Sequence, residues 1–400
     1  MDYIIEPERK IPVKAEYDTV VAGGGIAGIA AAAAAARGGA RVLLIEKQYM
    51  PGGLATAGLV TIFLPLCDGM GRQVTFGIAE ELLRLSVRHG YEGKYPSAWL
   101  ENGSYAEKAK QRFEVQYNPY IFAIETEKLL KAAGVDILFG TSVCEAYVSN
   151  GKIRHIITEN KSGRTAVALK NIIDCSGDAD ICRLAGENTV VFSQGNVPAS
   201  WYYYVEDGEN KLKMLGFSDI PDSQKTAEQL ENSKSSLRFT GLEADELSDL
   251  TLYSHSVLLD DFLKKGKDTP KYSLSSIATT PQIRMTRRID GKYTQDDTEM
   301  HKEYNDSVGL FSDWRRSGPV YELPFGALTG RKITNLLAAG RCISATDAMW
   351  DITRVIPVCA LSGQAAGTAA AMTDNFDGID INKLQYSLKL NGVVLHESEL

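Results

Sequence analysis

Residues 18–28, Asp-Thr-Val-Val-Ala-Gly-Gly-Gly-Ile-Ala-Gly, run a short apolar β stretch straight into a glycine-rich turn. Ile29 and the alanines from Ala30 to Ala36 then read as a helix, which Gly38 and Gly39 end. Residues 41–45, Arg-Val-Leu-Leu-Ile, form a second β stretch closed by Glu46. Strand, glycine turn, helix, strand and acid in this order describe a β–α–β unit that binds a dinucleotide. Each glycine has a separate reason. Gly23 permits the tight turn, Gly25 lets the backbone approach a pyrophosphate, and Gly28 permits close packing of helix on strand. The helix start at Ile26 and Ala27 offers free N–H groups and a partial positive charge to phosphates. Glu46 is placed to bind ribose hydroxyls, and an acid there disfavours a 2′-phosphate.

The rest of the composition narrows the partners. The chain has 400 residues, with 43 Lys and Arg against 51 Asp and Glu, a formal charge of −8. That sign argues against nucleic acid or an anionic membrane as the main partner. The N-terminus has no basic stretch followed by an apolar one, and the most apolar run, 26–36, is too short to span a bilayer. A cytoplasmic protein without a membrane anchor is expected, and homo-oligomerisation is left open. The six cysteines, Cys67, Cys144, Cys175, Cys182, Cys342 and Cys359, form no C-x-x-C pair. A redox dithiol, a zinc ribbon and an iron–sulfur site therefore lack support, and no metal is expected. Cys67 stands apart because it lies in a glycine-rich loop near the nucleotide turn.

Two later stretches agree with the first. Residues 170–180 are a β stretch ending Asp-Cys-Ser-Gly-Asp-Ala-Asp, with Ser176 and Gly177 at the turn. Residues 335–347 run a strand into Ala-Ala-Gly-Arg-Cys-Ile-Ser-Ala-Thr-Asp, with Gly340 and Arg341 at the turn. Arg354-Val355-Ile356-Pro357 then leads into a small-residue helix over 358–371, with Gly-Gln-Ala-Ala-Gly at 363–367. Pro357 suits a helix start, where its missing N–H costs nothing. A helix N-terminus there would stabilise negative charge on a reduced ring.

Taken together, the glycine turn, Gly52-Gly53, Asp174 to Asp180, Ala339 to Asp347 and Arg354 to Gly367 resemble the FAD-dependent oxidoreductase family of the glutathione-reductase-like flavoprotein clan. The resemblance covers about residues 1–195 and 320–400. It implies an α/β fold: a Rossmann-like FAD-binding domain with a β-meander insertion, plus an α+β cap. The expected division is 1–192 and 320–400 for the FAD domain and 193–319 for the cap. Cofactor contacts are expected at Gly23, Gly25, Ile26, Ala27, Gly28, Glu46, Lys47, Gly52, Gly53, Leu54, Val143, Ser176, Gly177, Gly340, Arg341, Val355 and Pro357. The implied activity is hydride transfer between a small polar metabolite and flavin N5, with the electron acceptor or donor unspecified. A nucleotide-binding lyase, isomerase or scaffold without net redox is one alternative, and an NAD-dependent dehydrogenase is another.

Local patterns predict helices over 74–89, 120–133 and 252–264, a strand over 137–143, and hairpins over 144–169 turning at Asn150-Gly151. No second glycine fingerprint occurs, so a built-in NADPH domain is unsupported. Residues 281–291 read as a strand with Ile283, Met285, Arg287 and Ile289 on one face and Arg284, Thr286 and Arg288 on the other. Arginines on an inner face need an anion or an acid; otherwise this is a solvated edge with salt bridges. Arg284, Arg287 and Arg354 are the candidates for holding a substrate carboxylate or facing the flavin. For Arg354 the plainer expectation is an ion pair with Asp347 or Asp351. His255 and His301 are weaker candidates for a general base. Tyr202 to Tyr204 are expected in the core.

Overall fold

The structure is a computed structural model that describes residues 3–216, 223, 225–227 and 237–400. Its main sheet is built on the unit that the glycine turn announced. Strand β1 (Val13–Ala22), helix α1 (Ile26–Arg37) and strand β2 (Val42–Ile45) form a parallel crossover, with Val21 opposite Leu44 and Ala22 opposite Ile45. Asp136–Leu138 extends the sheet beyond β2. On the other side of β1 lies the strand Gly163–Asp174, and Leu336–Ala338 pairs with its last residues. The period of two is visible in the packing. Val20, Ala22, Leu43 and Ile45 belong to the core on one face of the sheet, and Val21, Val42 and Leu44 to the core on the other.

The strand Gly163–Asp174 serves two sheets' worth of pairing. Its first half pairs antiparallel with Lys152–Asn160, which in turn pairs with Ser142–Ser149. Two strands with a break near residue 170 were expected. One continuous strand forms instead, so the meander grows out of the main sheet. The stretch expected as one strand over 137–143 divides into Asp136–Leu138 and the start of Ser142–Ser149.

Helix α1 is buried from Ile26 through Ala35. A helix apolar all round must be covered on every side. The sheet covers one side and the helix Ile356–Met372 covers another. Small residues let the two helices touch backbone to backbone. A Cβ on Gly363 would stand 2.3 Å from the Ala27 carbonyl oxygen, and one on Gly367 would stand 2.2 Å from that of Ala31. The other predicted helices occur as Ile78–Ser86, Pro119–Ala132 and Ala244–Lys265.

The middle of the chain forms a separate small sheet, with Tyr202–Glu206 between Glu209–Lys213 and Tyr272–Ile277. The helix Ala244–Lys265 packs on it through Leu258 and Phe262, against Tyr202. Tyr202 and Tyr203 are buried in the core as expected. The expected domain limit at 319/320 falls inside a hairpin, because Ser307–Ser312 pairs with Val320–Pro324. Val308 and Phe311 pack in the same core as α1, so this hairpin goes with the main sheet.

All six cysteines are free thiols. Cys67 is fully buried, its Sγ accepts the Phe113 N–H at 3.2 Å, and burial pushes its thiol pKa up. The native protein should therefore leave Cys67 unlabelled by a thiol reagent that reaches it after denaturation. Fast native labelling, located by mass spectrometry, would contradict this burial. Among the described residues no single helix is long and apolar enough to cross a membrane. One bent pair, Asp347–Thr353 with Ile356–Met372, passes by length and composition, but most of its residues are buried within the fold.

Candidate functional site: a glycine-lined cavity

A cavity of about 490 Å³ runs along the C-terminal ends of β1 and β2, where open α/β sheets bind ligands. One wall is the turn between β1 and α1. The first intrahelical bond of α1 is from Ile29 N–H to the Gly25 carbonyl, at 2.9 Å. The N–H groups of Ile26, Ala27 and Gly28 precede it, as the groups a helix leaves unsatisfied. Gly25 faces the cavity, and a Cβ built on it meets nothing within 4 Å. Protein packing thus gives no reason for glycine at this position. Gly23 and Gly28 are glycines for internal reasons: their Cβ atoms would strike Cys175 and the Gly23 carbonyl. Gly28 accordingly does not line the cavity.

Glu46 is buried at the end of β2. Its carboxylate accepts the Gly24 N–H at 2.6 Å and the Gln48 N–H at 2.7 Å. It thus pins the glycine turn, and a carboxylate with about four acceptor sites keeps capacity for a ligand. Lys47, exposed, lines the same end with Val143. Gly52, Gly53 and Leu54 line the cavity on a loop joined to Gly25, with the Gly52 N–H bonded to Gly24 at 2.7 Å.

The turn after Gly163–Asp174 is held by Ser176, whose hydroxyl bonds Asp174 at 2.6 Å and accepts the Asp180 N–H at 3.0 Å. Arg341 lies over Gly177. It donates to the Gly177 carbonyl at 2.7 Å, to Asp178 at 2.5 Å, and to the carbonyl of Ile283. A Cβ on Gly177 would stand 2.6 Å from the Arg341 Nε, which explains the glycine. Arg341 is therefore a staple that joins three segments at the cavity wall. Asp180 also lines the cavity. Burial, with Asp178 and Asp174 nearby, pushes its carboxyl up to about 6, against the pull of Arg287 and Lys47.

The three candidate arginines part company. Arg287 does not line the cavity, and its guanidinium pairs with Asp180 at 2.7 Å. Arg284 lines the cavity and lies over the Trp201 ring, 5.0 Å from its centroid. Arg354 lines the cavity and pairs with Asp351 at 2.5 Å, so it faces the site and carries the expected ion pair at once. The expected long strand over 281–291 shrinks to Arg287–Ile289, paired with Thr189–Val191. Residues 282–289 are all buried, so no face of this segment is a solvated edge. Arg288, buried over Trp350, has its pKa lowered by burial.

Val355 lines the cavity as the residue before the helix Ile356–Met372; Pro357, at the second helical position, does not. His255 is exposed on its helix and His301 pairs with Glu397 at 2.7 Å, so neither reaches the cavity. Sequence reasoning missed Val60, Ile62 and Leu64, which form an apolar wall. Their spacing of two was the available signal. It also missed the share of the middle of the chain, among it Gly241, Leu247, Thr280 and Pro281, which no local pattern marks. The middle of the chain is tied to this wall: Thr279 N–H bonds Ala57 at 2.9 Å, Gln282 bonds Gly58 at 2.5 Å, and Tyr203 and Thr61 hydroxyls meet at 2.6 Å.

A cavity on a glycine turn, at the strand ends of a parallel sheet, defines a dinucleotide-cofactor protein of mixed α/β class. The model of the family described as FAD dependent oxidoreductase matches residues 18–238 and 226–388, and the chain belongs to that family. It is a flavin-dependent oxidoreductase with FAD as cofactor, and the NAD-only alternative falls away. Among solved structures, p-nitrophenol 4-monooxygenase from Pseudomonas putida DLL-E4 aligns with a TM-score of 0.50 at 11% identity, over 94% of this chain and 84% of that one. The 3-ketosteroid-Δ4-(5α)-dehydrogenase from Rhodococcus jostii RHA1 aligns with a TM-score of 0.42 at 16% identity, over 90% and 98%. The first of these likenesses is one of fold alone. A comparison with curated protein sequences found no match.

Proposed function

We propose that the protein transfers a hydride between a small polar metabolite and flavin N5, on an FAD domain of glutathione-reductase type. The cavity carries this reading, above all the open space at Gly25 in front of free helix N–H groups. The N–H groups of Gly25, Ile26 and Ala27 would hold the pyrophosphate. Glu46 and Lys47 would hold the ribose and Val143 the adenine. Gly52, Gly53, Leu54 and Val355 would border the flavin, with Ser176, Gly177, Gly340 and Arg341 shaping the opposite wall. FAD supplies the two-electron exchange when bound. The protein's own part is to orient the metabolite, exclude water beneath the cap, and offer charge at Arg354. The cap would comprise the middle segment from about 193 to the start of the Ser307–Ser312 hairpin. A reducing, cytoplasmic setting suits six free thiols.

Anaerobic mixing with a panel of small metabolites should find one that bleaches the flavin absorbance. Bound flavin that no metabolite bleaches would favour a role without net redox. With the bleaching metabolite in hand, Arg354→Ala is expected to cut the bleaching rate by about 10²-fold or more while FAD stoichiometry stays at the wild-type level. An unchanged rate would reduce Arg354 to a structural residue.

A further inference from the structure

Arg354 enters the cavity just before the helix Ile356–Met372, and it is fixed from behind. Its guanidinium pairs with Asp351, whose side chain is 1% exposed. Arg315 stands 3.6 Å from the second oxygen of Asp351. Asp313, wholly buried, grips Arg315 with both oxygens at 2.9 and 3.1 Å and holds Arg316 at 3.2 Å. The Trp314 indole donates to the Asp351 carbonyl at 3.0 Å, and Arg112 donates to the Trp314 carbonyl at 2.9 Å. Arg315, Arg316 and Arg354 thus share Asp313 and Asp351, with Arg112 bonded to the Trp314 carbonyl beside them and Asp297 acting on Arg315 at longer range.

This cluster is cationic in excess, and some of its donors are unspent. Arg354 Nε, and Nε and Nη2 of Arg112, are buried without a hydrogen-bond partner among the described residues; so is Asp351 Oδ2, which faces Arg315 at 3.6 Å. A buried donor on a charged group is costly to leave unmade. The acids that line the cavity are committed elsewhere. Glu46 holds Gly24 and Gln48, Asp178 holds Arg341 and Thr286, and Asp180 holds Arg287. What is missing opposite Arg354 is negative charge brought from outside.

We propose that the substrate is an organic anion whose carboxylate, or an equivalent oxyanion, is held by Arg354, with Asp351 and Arg315 as positioning residues that set the guanidinium. The planar fork of arginine suits two parallel bonds to such a group. This rests on the reading of the cavity as the flavin and substrate site.

The test is a titration of the oxidised holoenzyme with glycolate, succinate and benzoate, each against its neutral amide, read as the difference spectrum of bound flavin. At least one acid should perturb the flavin saturably, with its amide weaker by about tenfold or more. Arg354→Gln should weaken that acid by about 10- to 100-fold and leave FAD stoichiometry and amide binding unchanged. Arg354→Lys should recover part of the loss, and Asp351→Asn should weaken the acid but not the amide. A merely structural role would move acid and amide together. The proposal is overturned if no acid perturbs the flavin, if the amides bind as well as the acids, or if Arg354→Gln binds the acid like wild type. Wild-type protein without FAD would instead overturn the flavin-site reading beneath it.

Discussion

Gly25→Val should give a folded, soluble and colourless protein. Gly25 has φ −67° and ψ −176°, a conformation open to any residue, and its Cβ would meet no atom within 4 Å. The fold therefore tolerates valine. The added methyl groups instead occupy the approach to the N–H groups of Gly25, Ile26 and Ala27, where the pyrophosphate is proposed to lie. FAD retention should fall by about 100-fold or more, close to 3 kcal/mol. The measurement is the ratio of flavin to protein absorbance after purification, beside the thermal midpoint of the apo form. Normal flavin content would refute the assignment of this loop.

The same replacement at Gly363 should do the reverse. There a Cβ lands 2.3 Å from the Ala27 carbonyl oxygen, backbone against backbone, where no flexible side chain can move aside. The helices α1 and Ile356–Met372 would have to separate, and both are buried along almost their whole length. Overpacking of this kind costs about 3 kcal/mol or more. Gly363→Val should lower the urea midpoint sharply and reduce soluble yield, with flavin lost only as a consequence of unfolding. A wild-type midpoint would mean that the helices do not meet as described. The pair of variants separates a glycine kept for its ligand from a glycine kept for its neighbour.

The β–α–β unit was legible because its geometry is local: the glycine turn, the helix after it and the second strand closed by Glu46 all form where the spacing of Gly23, Gly25 and Gly28 predicts. The arginines were legible only as a question. Whether Arg287 faces a substrate or an acid depends on Asp180, far away in sequence, and an alternating pattern cannot name that partner. The alternation over 281–291 misled because the segment is buried on all sides, so no polar face existed to set a strand's period. The cap residues at the cavity went unseen for a related reason. Leu247 and Pro281 acquire a role only when Thr279 and Gln282 dock on the loop at Ala57 and Gly58.

The contact between α1 and Ile356–Met372 also governs how the protein comes into being. Ile26 and Ile356 are the first residues of two helices that must cover each other. At about 5–20 residues per second, the ribosome needs roughly 15–65 s to make the chain between them. Through that interval an alanine-rich helix, apolar on every side, exists without the partner that shields it. The strand Leu336–Ala338, which completes the sheet beside Gly163–Asp174, arrives equally late. A cavity walled by both Gly25 and Val355 exists only once both of those segments have been made. Capture of a ligand along the whole cavity therefore waits on the second of the two helices, and until it is made the first lacks the surface that covers it.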